Sequence, residues 1–199
     1  MFYYFCIRFD LEKLIKHTHV LKLILILDFF KTAANLKEIQ RQGWIDKLNM
    51  KNPESVADHT FSMAIMGMVL SDSNNYDTEK ILKMILLHDL AESVTGDITP
   101  EQKPKQEKIN LENNVFEEII KNLPSNLNKQ YCSLWSEYLK NESKEAVFVH
   151  QIDKLEMALQ AEMYLQKNVL KEHLKPFFDS AKKEITDPNL LTILNQLNK

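Results

Sequence analysis

Three glycines in 199 residues, Gly43, Gly67 and Gly96, constrain the fold of this chain more than any other feature of its sequence. Soluble domains use about 7% glycine, much of it where the backbone turns tightly or passes close to a ligand. No G-x-G-x-x-G turn and no G-x-x-x-x-G-K loop can be written with glycines at these positions, which excludes nucleotide binding through a glycine-rich cradle. Apolar residues recur instead at intervals of three and four, and strand-like alternation is nowhere sustained, so the chain is predicted to be all-α. Its length suits a single core.

The helix punctuation can be read along the chain. A first helix is predicted over residues 20–38, with Leu23, Ile26, Leu27, Phe30 and Ala34 as its core face, ending before a turn at Arg41-Gln42-Gly43-Trp44. Ser55 and Asp58 have the spacing of a capping box that opens a helix over 55–71, with His59 in its second turn. Thr78 is the expected N-cap of a short apolar helix (Ile81, Leu82, Met84, Ile85, Leu86, Leu87) that runs into His88-Asp89-Leu90-Ala91-Glu92. Residues 99–108, polar with two prolines, read as a loop or lid. Helices follow over 109–122 and 126–140, then a long one over 144–168 with Val147, Ile152, Leu155, Leu159 and Met163 on its apolar stripe. Asp187-Pro188 opens a last helix that buries Leu190, Leu191, Leu194 and Leu197.

Residues 1–22 are read as an N-terminal extension and 23–199 as the domain. The segments at 1–9 and 20–30 are apolar enough to raise the question of a secretory leader. However, Asp10 and Glu12 stand where a basic region belongs, Lys22 interrupts the second run, and neither run reaches the roughly 20 residues that span a bilayer. No membrane association is expected. A net charge of −3 offers no attraction to duplex nucleic acid, whose binding is dominated by phosphate neutralisation. The two cysteines, Cys6 and Cys132, make no C-x-x-C pair, which points to a reducing compartment, the cytoplasm.

His88 and Asp89 end a helix whose preceding residues are almost all apolar, and burying such groups is costly unless they are paired or bound to a cation. A helix-end pair bonded to itself accounts for these two residues as well as a cation does. Asp58-His59 and Asp153 add an imidazole and carboxylates on two further helices, and the mixed N/O set suits Mn, Fe, Co, Ni or Zn. Glu92 projects from the same helix end as His88 and Asp89. His17, His19, His150 and His173 have no convincing ligand-like spacing and are read as surface or satisfied histidines.

The order His59, His88-Asp89, Asp153 resembles the HD-domain superfamily of metal-dependent phosphohydrolases. Five blocks narrow the resemblance to the HD-domain 5′-deoxynucleotidase family, from about Ile24 to near the C-terminus: Arg41-x-Gly43-Trp44, residues 53–59 (PESVADH), residues 88–92 (HDLAE), Thr95-Gly96-Asp97-Ile98 and Asp153-Lys154-Leu155-Glu156. The resemblance implies an HD-domain helical bundle with a metal site in its core, where His59, His88, Asp89 and Asp153 bind one divalent cation, Mn2+, Co2+ or Mg2+. It also implies that Glu92 assists the attacking water, that Asp97 is catalytic and with Ile98 contacts substrate, and that Glu92, Asp97 and Ile98 are the candidates for holding a second ion. The substrate it implies is a deoxynucleoside 5′-monophosphate and the assembly a homodimer.

Arg41 is the best guanidinium fork for phosphate oxygens and Lys105 a weaker cation. By resemblance Trp44 lies near the sugar, where its indole would crowd a 2′-hydroxyl; the alternative is an anchor that packs inward. Two other readings stay open. One is an HD phosphohydrolase acting on a cyclic nucleotide, a dNTP or a phosphorylated metabolite, and the other is a catalytically inactive helical module that binds metal structurally. The first twenty or so residues have no family counterpart, and the polar loop after Asp97 is slightly short.

Overall fold

The computed structural model describes residues 20–197, so the expected extension over 1–22 lies almost entirely outside the described residues. Helix α1 is described over residues 20–34 and tightens into a 3-10 turn at Asn35–Lys37. It is followed by α2 (Gln42–Leu48), α3 (Val56–Ser73), α4 (Thr78–His88), α5 (Glu92–Thr95) and α6 (Lys105–Ile120). The chain closes with α7 (Ser125–Lys140), α8 (Lys144–Gln166), α9 (Lys171–Glu184) and α10 (Pro188–Leu197). Among the described residues there is no strand, only an isolated bridge between Gln40 and Ser55, and no helix long and apolar enough to cross a membrane.

α8 is the spine, packed by α3, α4, α7, α9 and α10, and its Ile152, Leu155, Ala158 and Ala161 are fully buried. Against it lie α3 and α4, antiparallel neighbours whose approach depends on Gly67. A Cβ at that position would run into the terminal methyl of Ile85, which would have to move aside, and would stand 3.3 Å from Ile81 Cγ2. The antiparallel pairing sets the first turns of α3 beside the last turn of α4, bringing the His59 and His88 rings to 5.6 Å between centroids.

Several helix ends follow the sequence closely. Ser55 Oγ accepts from Asp58 N at 3.1 Å while Asp58 Oδ2 accepts from Ser55 N at 2.9 Å, completing the predicted capping box. Asp187 Oδ1 accepts from the N–H groups of Asn189 and Leu190 ahead of α10. The cap of α4 is Asp77 rather than Thr78, because the carboxylate accepts from Lys80 N while the Thr78 hydroxyl is taken up by Asp72 and Ser71. With so little glycine, four asparagines turn the chain left-handed at or just past helix ends: Asn49, Asn75, Asn141 and Asn168, at φ of 53°, 58°, 52° and 68°. Gly96, at φ 75°, does so after α5.

Other expectations are corrected. α1 turns Ile26, Phe29 and Ala33 towards the core, while Leu23, Leu27 and Phe30 face outward. Segment 20–30 is apolar on almost every side, so periodicity could not choose a face. The turn predicted at 41–44 is the opening of α2, with Arg41 as its N-cap. In α4, Leu86 is exposed, and in α8 so is Met163. α6 starts at Lys105, several residues before the predicted helix.

Candidate active site

Four predicted ligands converge from three helices. His59 Nε2 lies 3.3 Å from Asp153 Oδ1 and 3.9 Å from Asp89 Oδ2, and His88 Nε2 lies 3.0 Å from the same Asp89 oxygen. His59 is fully buried and His88 nearly so, and the inward atoms His59 Nε2, His88 Nε2 and Asp89 Oδ2 have no hydrogen-bond partner. Unpartnered polar atoms at such depth are costly, and two nitrogens with two carboxylate oxygens are a donor set that a divalent cation satisfies. The residues therefore fit a metal.

Three of the four side chains, His59, His88 and Asp153, are fixed from behind by their other polar atom. His59 Nδ1 stands 2.5 Å from Glu156 Oε2, and His88 Nδ1 stands 2.6 Å from the Ile85 carbonyl. A carbonyl only accepts, so His88 Nδ1 donates and Nε2 is left to face the cleft. Lys154 Nζ donates to Asp153 Oδ2 at 2.9 Å, leaving Oδ1 inward. Burial and the nearby Arg41 oppose a charged His59, yet the adjoining carboxylates of Asp153 and Glu156 outweigh them and raise it to about 10. Burial likewise resists the charge on Asp89, but His88, Arg41 and His59 hold its carboxyl well below the usual range. The centre attracts positive charge.

Arg41 borders this centre, with Nη1 3.6 Å from Asp89 Oδ2 and Nη2 4.0 Å from Asp153 Oδ1. Its backbone is pinned, since Arg41 N donates to Glu54 O at 3.0 Å and Val56 N to Ile39 O at 2.8 Å. Asp97 Oδ2 accepts from Gln42 N at 2.8 Å, tying the segment after α5 to the start of α2. Glu92 is 2% exposed at the head of α5, and its Oε2 is unpartnered. Burial first, then the carboxylates of Asp89 and Asp97, raise its carboxyl well above the ordinary range, while Lys108 and Arg41 oppose the rise. A buried carboxyl with one free oxygen is a candidate for proton transfer.

The remaining expectations fare differently. Ile98 is half-buried beside Asp97. Lys105 is exposed at the start of α6, and it is Lys108, one turn on, whose Nζ reaches Glu92 Oε1 at 3.2 Å. Trp44 is 2% exposed, 4.0 Å from the Phe177 ring and 5.1 Å from the Tyr164 ring, with Nε1 donating to Glu54 Oε1 at 2.8 Å. The indole packs between α8 and α9, the placement of the inward-packing alternative. Sequence reasoning gave no role to Glu54, Glu156, Lys154, Lys108, Glu112 or Tyr138, whose ring lies 5.9 Å from that of His88. The signals for Glu156 are its place in the Asp153-Lys154-Leu155-Glu156 block and its spacing of three residues from Asp153, on the same side of α8.

A helical bundle whose central helices converge on a buried cluster of His and carboxylate groups able to hold a cation defines a class of metal-binding α-proteins. The HD domain model matches residues 33–191, and the chain belongs to the HD domain family. A Dictyostelium discoideum protein named 5'-deoxynucleotidase HDDC2 is 40% identical over 182 residues, which cover 86% of this chain and 95% of that protein. A human protein of the same name is 36% identical over 173 residues, covering 86% and 84%. The crystal structure of a Pyrococcus horikoshii OT3 protein superposes with a TM-score of 0.73 at 31% identity, over 86% of this chain and 97% of that one.

Proposed function

We propose that this protein is a metal-dependent 5′-deoxynucleotidase that removes the 5′-phosphate from deoxynucleoside 5′-monophosphates. The observation that carries the reading is the set of buried atoms aimed inward without partners, His59 Nε2, His88 Nε2 and Asp89 Oδ2, with the free Oε2 of Glu92 beside them. The names of the relatives supply the substrate class. A divalent cation bound by His59, His88, Asp89 and Asp153 supplies charge neutralisation at phosphate and acidifies water, which needs no covalent intermediate. Glu92 Oε2 takes the proton of the attacking water, the Arg41 fork binds phosphate oxygens, and Asp97 holds the Arg41 segment in place.

The cation is read as Mn2+, Co2+ or Mg2+. A reducing, cytoplasmic setting agrees with the free thiol of Cys132. Homodimer formation is supported by the exposed apolar row Phe61, Ile65, Met68 and Val69 along α3. Light scattering on the full chain is expected to give twice the monomer mass, and a monomer at micromolar concentration overturns the dimer.

Phosphate release from dAMP, AMP, a cyclic nucleotide and dATP, with and without each cation, tests the activity. Metal-dependent release from dAMP that chelation abolishes is expected. Release from dATP or the cyclic nucleotide alone would reassign the substrate.

A further inference from the structure

Resting on the reading of Glu92 as the proton acceptor, we propose that Lys108 is a positioning residue for Glu92: backed by Glu112, it fixes one carboxylate oxygen so that the other faces the cleft. Lys108 lies in the second turn of α6, with Nζ 3.2 Å from Glu92 Oε1 and 3.4 Å from Glu112 Oε1. Glu112, one turn further along the same helix, is 9% exposed, so it holds the ammonium against the protein rather than in solvent.

The terminal torsion of a glutamate is soft, and a carboxyl held at neither oxygen exchanges them freely. Held at Oε1 by a charge-assisted hydrogen bond, Glu92 keeps Oε2 in one place. The same device fixes three of the four predicted ligands, where Glu156 holds His59, the Ile85 carbonyl holds His88 and Lys154 holds Asp153. At Glu92 it acts on a group outside the predicted cation-binding quartet. There the partner comes from α6, which is joined to α5 only through residues 96–104. The seating of α6 therefore sets the aim of Glu92.

Lys108→Met keeps the apolar stem and removes the ammonium, while Lys108→Arg keeps the charge; both are made in the full chain with Mn2+. Lys108→Met is expected to lower kcat on dAMP by roughly 10–100-fold, with KM and Mn2+ affinity within about twofold of wild type, and Lys108→Arg to recover most of the loss. Adding Lys108→Met to Glu92→Gln is expected to cost nothing beyond Glu92→Gln alone. A raised KM with kcat unchanged, weakened Mn2+ binding, or losses that multiply in the double variant would each overturn the proposal.

A readout without turnover separates it from the functional reading. In protein carrying 13C at glutamate Cδ, the Glu92 signal, identified by its absence in Glu92→Gln, is expected to shift in Lys108→Met. An unmoved signal overturns the positioning role even if dAMP is cleaved. A moved signal in a protein inert towards every nucleotide overturns only the activity.

Discussion

The wall of the cleft formed by α3, α4 and α8 carries His59, His88, Asp89 and Asp153 in or at the ends of helices that pack on one another along Gly67, Ile81, Ile85 and Ile152. The facing wall carries Glu92 on a four-residue helix, Asp97 in the segment that follows and Lys108 on α6. In the first wall, core packing sets backbone positions and the outer hydrogen bonds only orient side chains. In the second, Leu90, Ala91, Phe116 and Ile120 anchor the backbone in the same core, and ion pairs and single hydrogen bonds orient the polar side chains. In the proposed function the first wall would hold the cation and the second would move protons, so the aim of the acid–base group rests on a few polar contacts from a neighbouring helix.

The comparison breaks most visibly at a ligand. Asp153→Ala removes a donor and leaves His59 and Lys154 facing a buried gap, so bound metal and phosphate release are both expected to vanish, a loss beyond the 10–100-fold that an outer partner costs. Metal analysis beside a turnover assay checks this, and normal metal content would remove Asp153 from the site. Across the cleft, Glu92→Gln is expected to slow turnover by roughly 10²–10⁴-fold with metal retained. Metal loss in that variant would place Glu92 in the binding wall instead.

A smaller effect is expected behind the ligand. Glu156→Gln keeps the shape but not the charge that orients His59 Nδ1, and Mn2+ affinity measured by calorimetry should weaken about 10–100-fold. The smallest effect concerns pH. Burial, then the Glu156 charge, raise Glu54 to about 7, against the Trp44 N–H, His59 and Arg41. The folded state thus keeps a proton that the unfolded chain releases near 4.5, so this group makes stability fall as pH rises from about 4.5 to about 7. Urea melts of metal-free protein at pH 5 and pH 7 should show a shallower decline for Glu54→Gln than for wild type. Equal declines would mean that Glu54 is not protonated in the fold.

His59, His88, Asp89 and Asp153 stand out in the sequence because each interrupts or ends an apolar helix, and Glu92 because it follows that helix end within one turn; a buried ionisable group must find a partner. Their outer partners do not. Lys108 and Glu112 stand at i and i+4, the spacing of any solvated helix face, and only the tertiary approach of α5 makes the pair part of a site. α9 left no clear sequence signal because Pro176 sits inside it among charged residues, although Leu174, Phe177, Phe178 and Ala181 fill the core. The sequence left both readings of Trp44 open for a similar reason: its neighbours Phe177 and Tyr164 are far away in sequence, so a buried indole and a cleft-lining one read alike.

The asparagines that take over from glycine at the ends of α2, α3, α7 and α8 leave the scaffold room to be hardened. A β-carbon at positive φ is strained, and glycine relieves that strain at the same backbone angles. None of Asn49, Asn75, Asn141 or Asn168 belongs to the cleft, so Asn→Gly exchanges there offer a thermostable form of the protein with its chemistry left as it is.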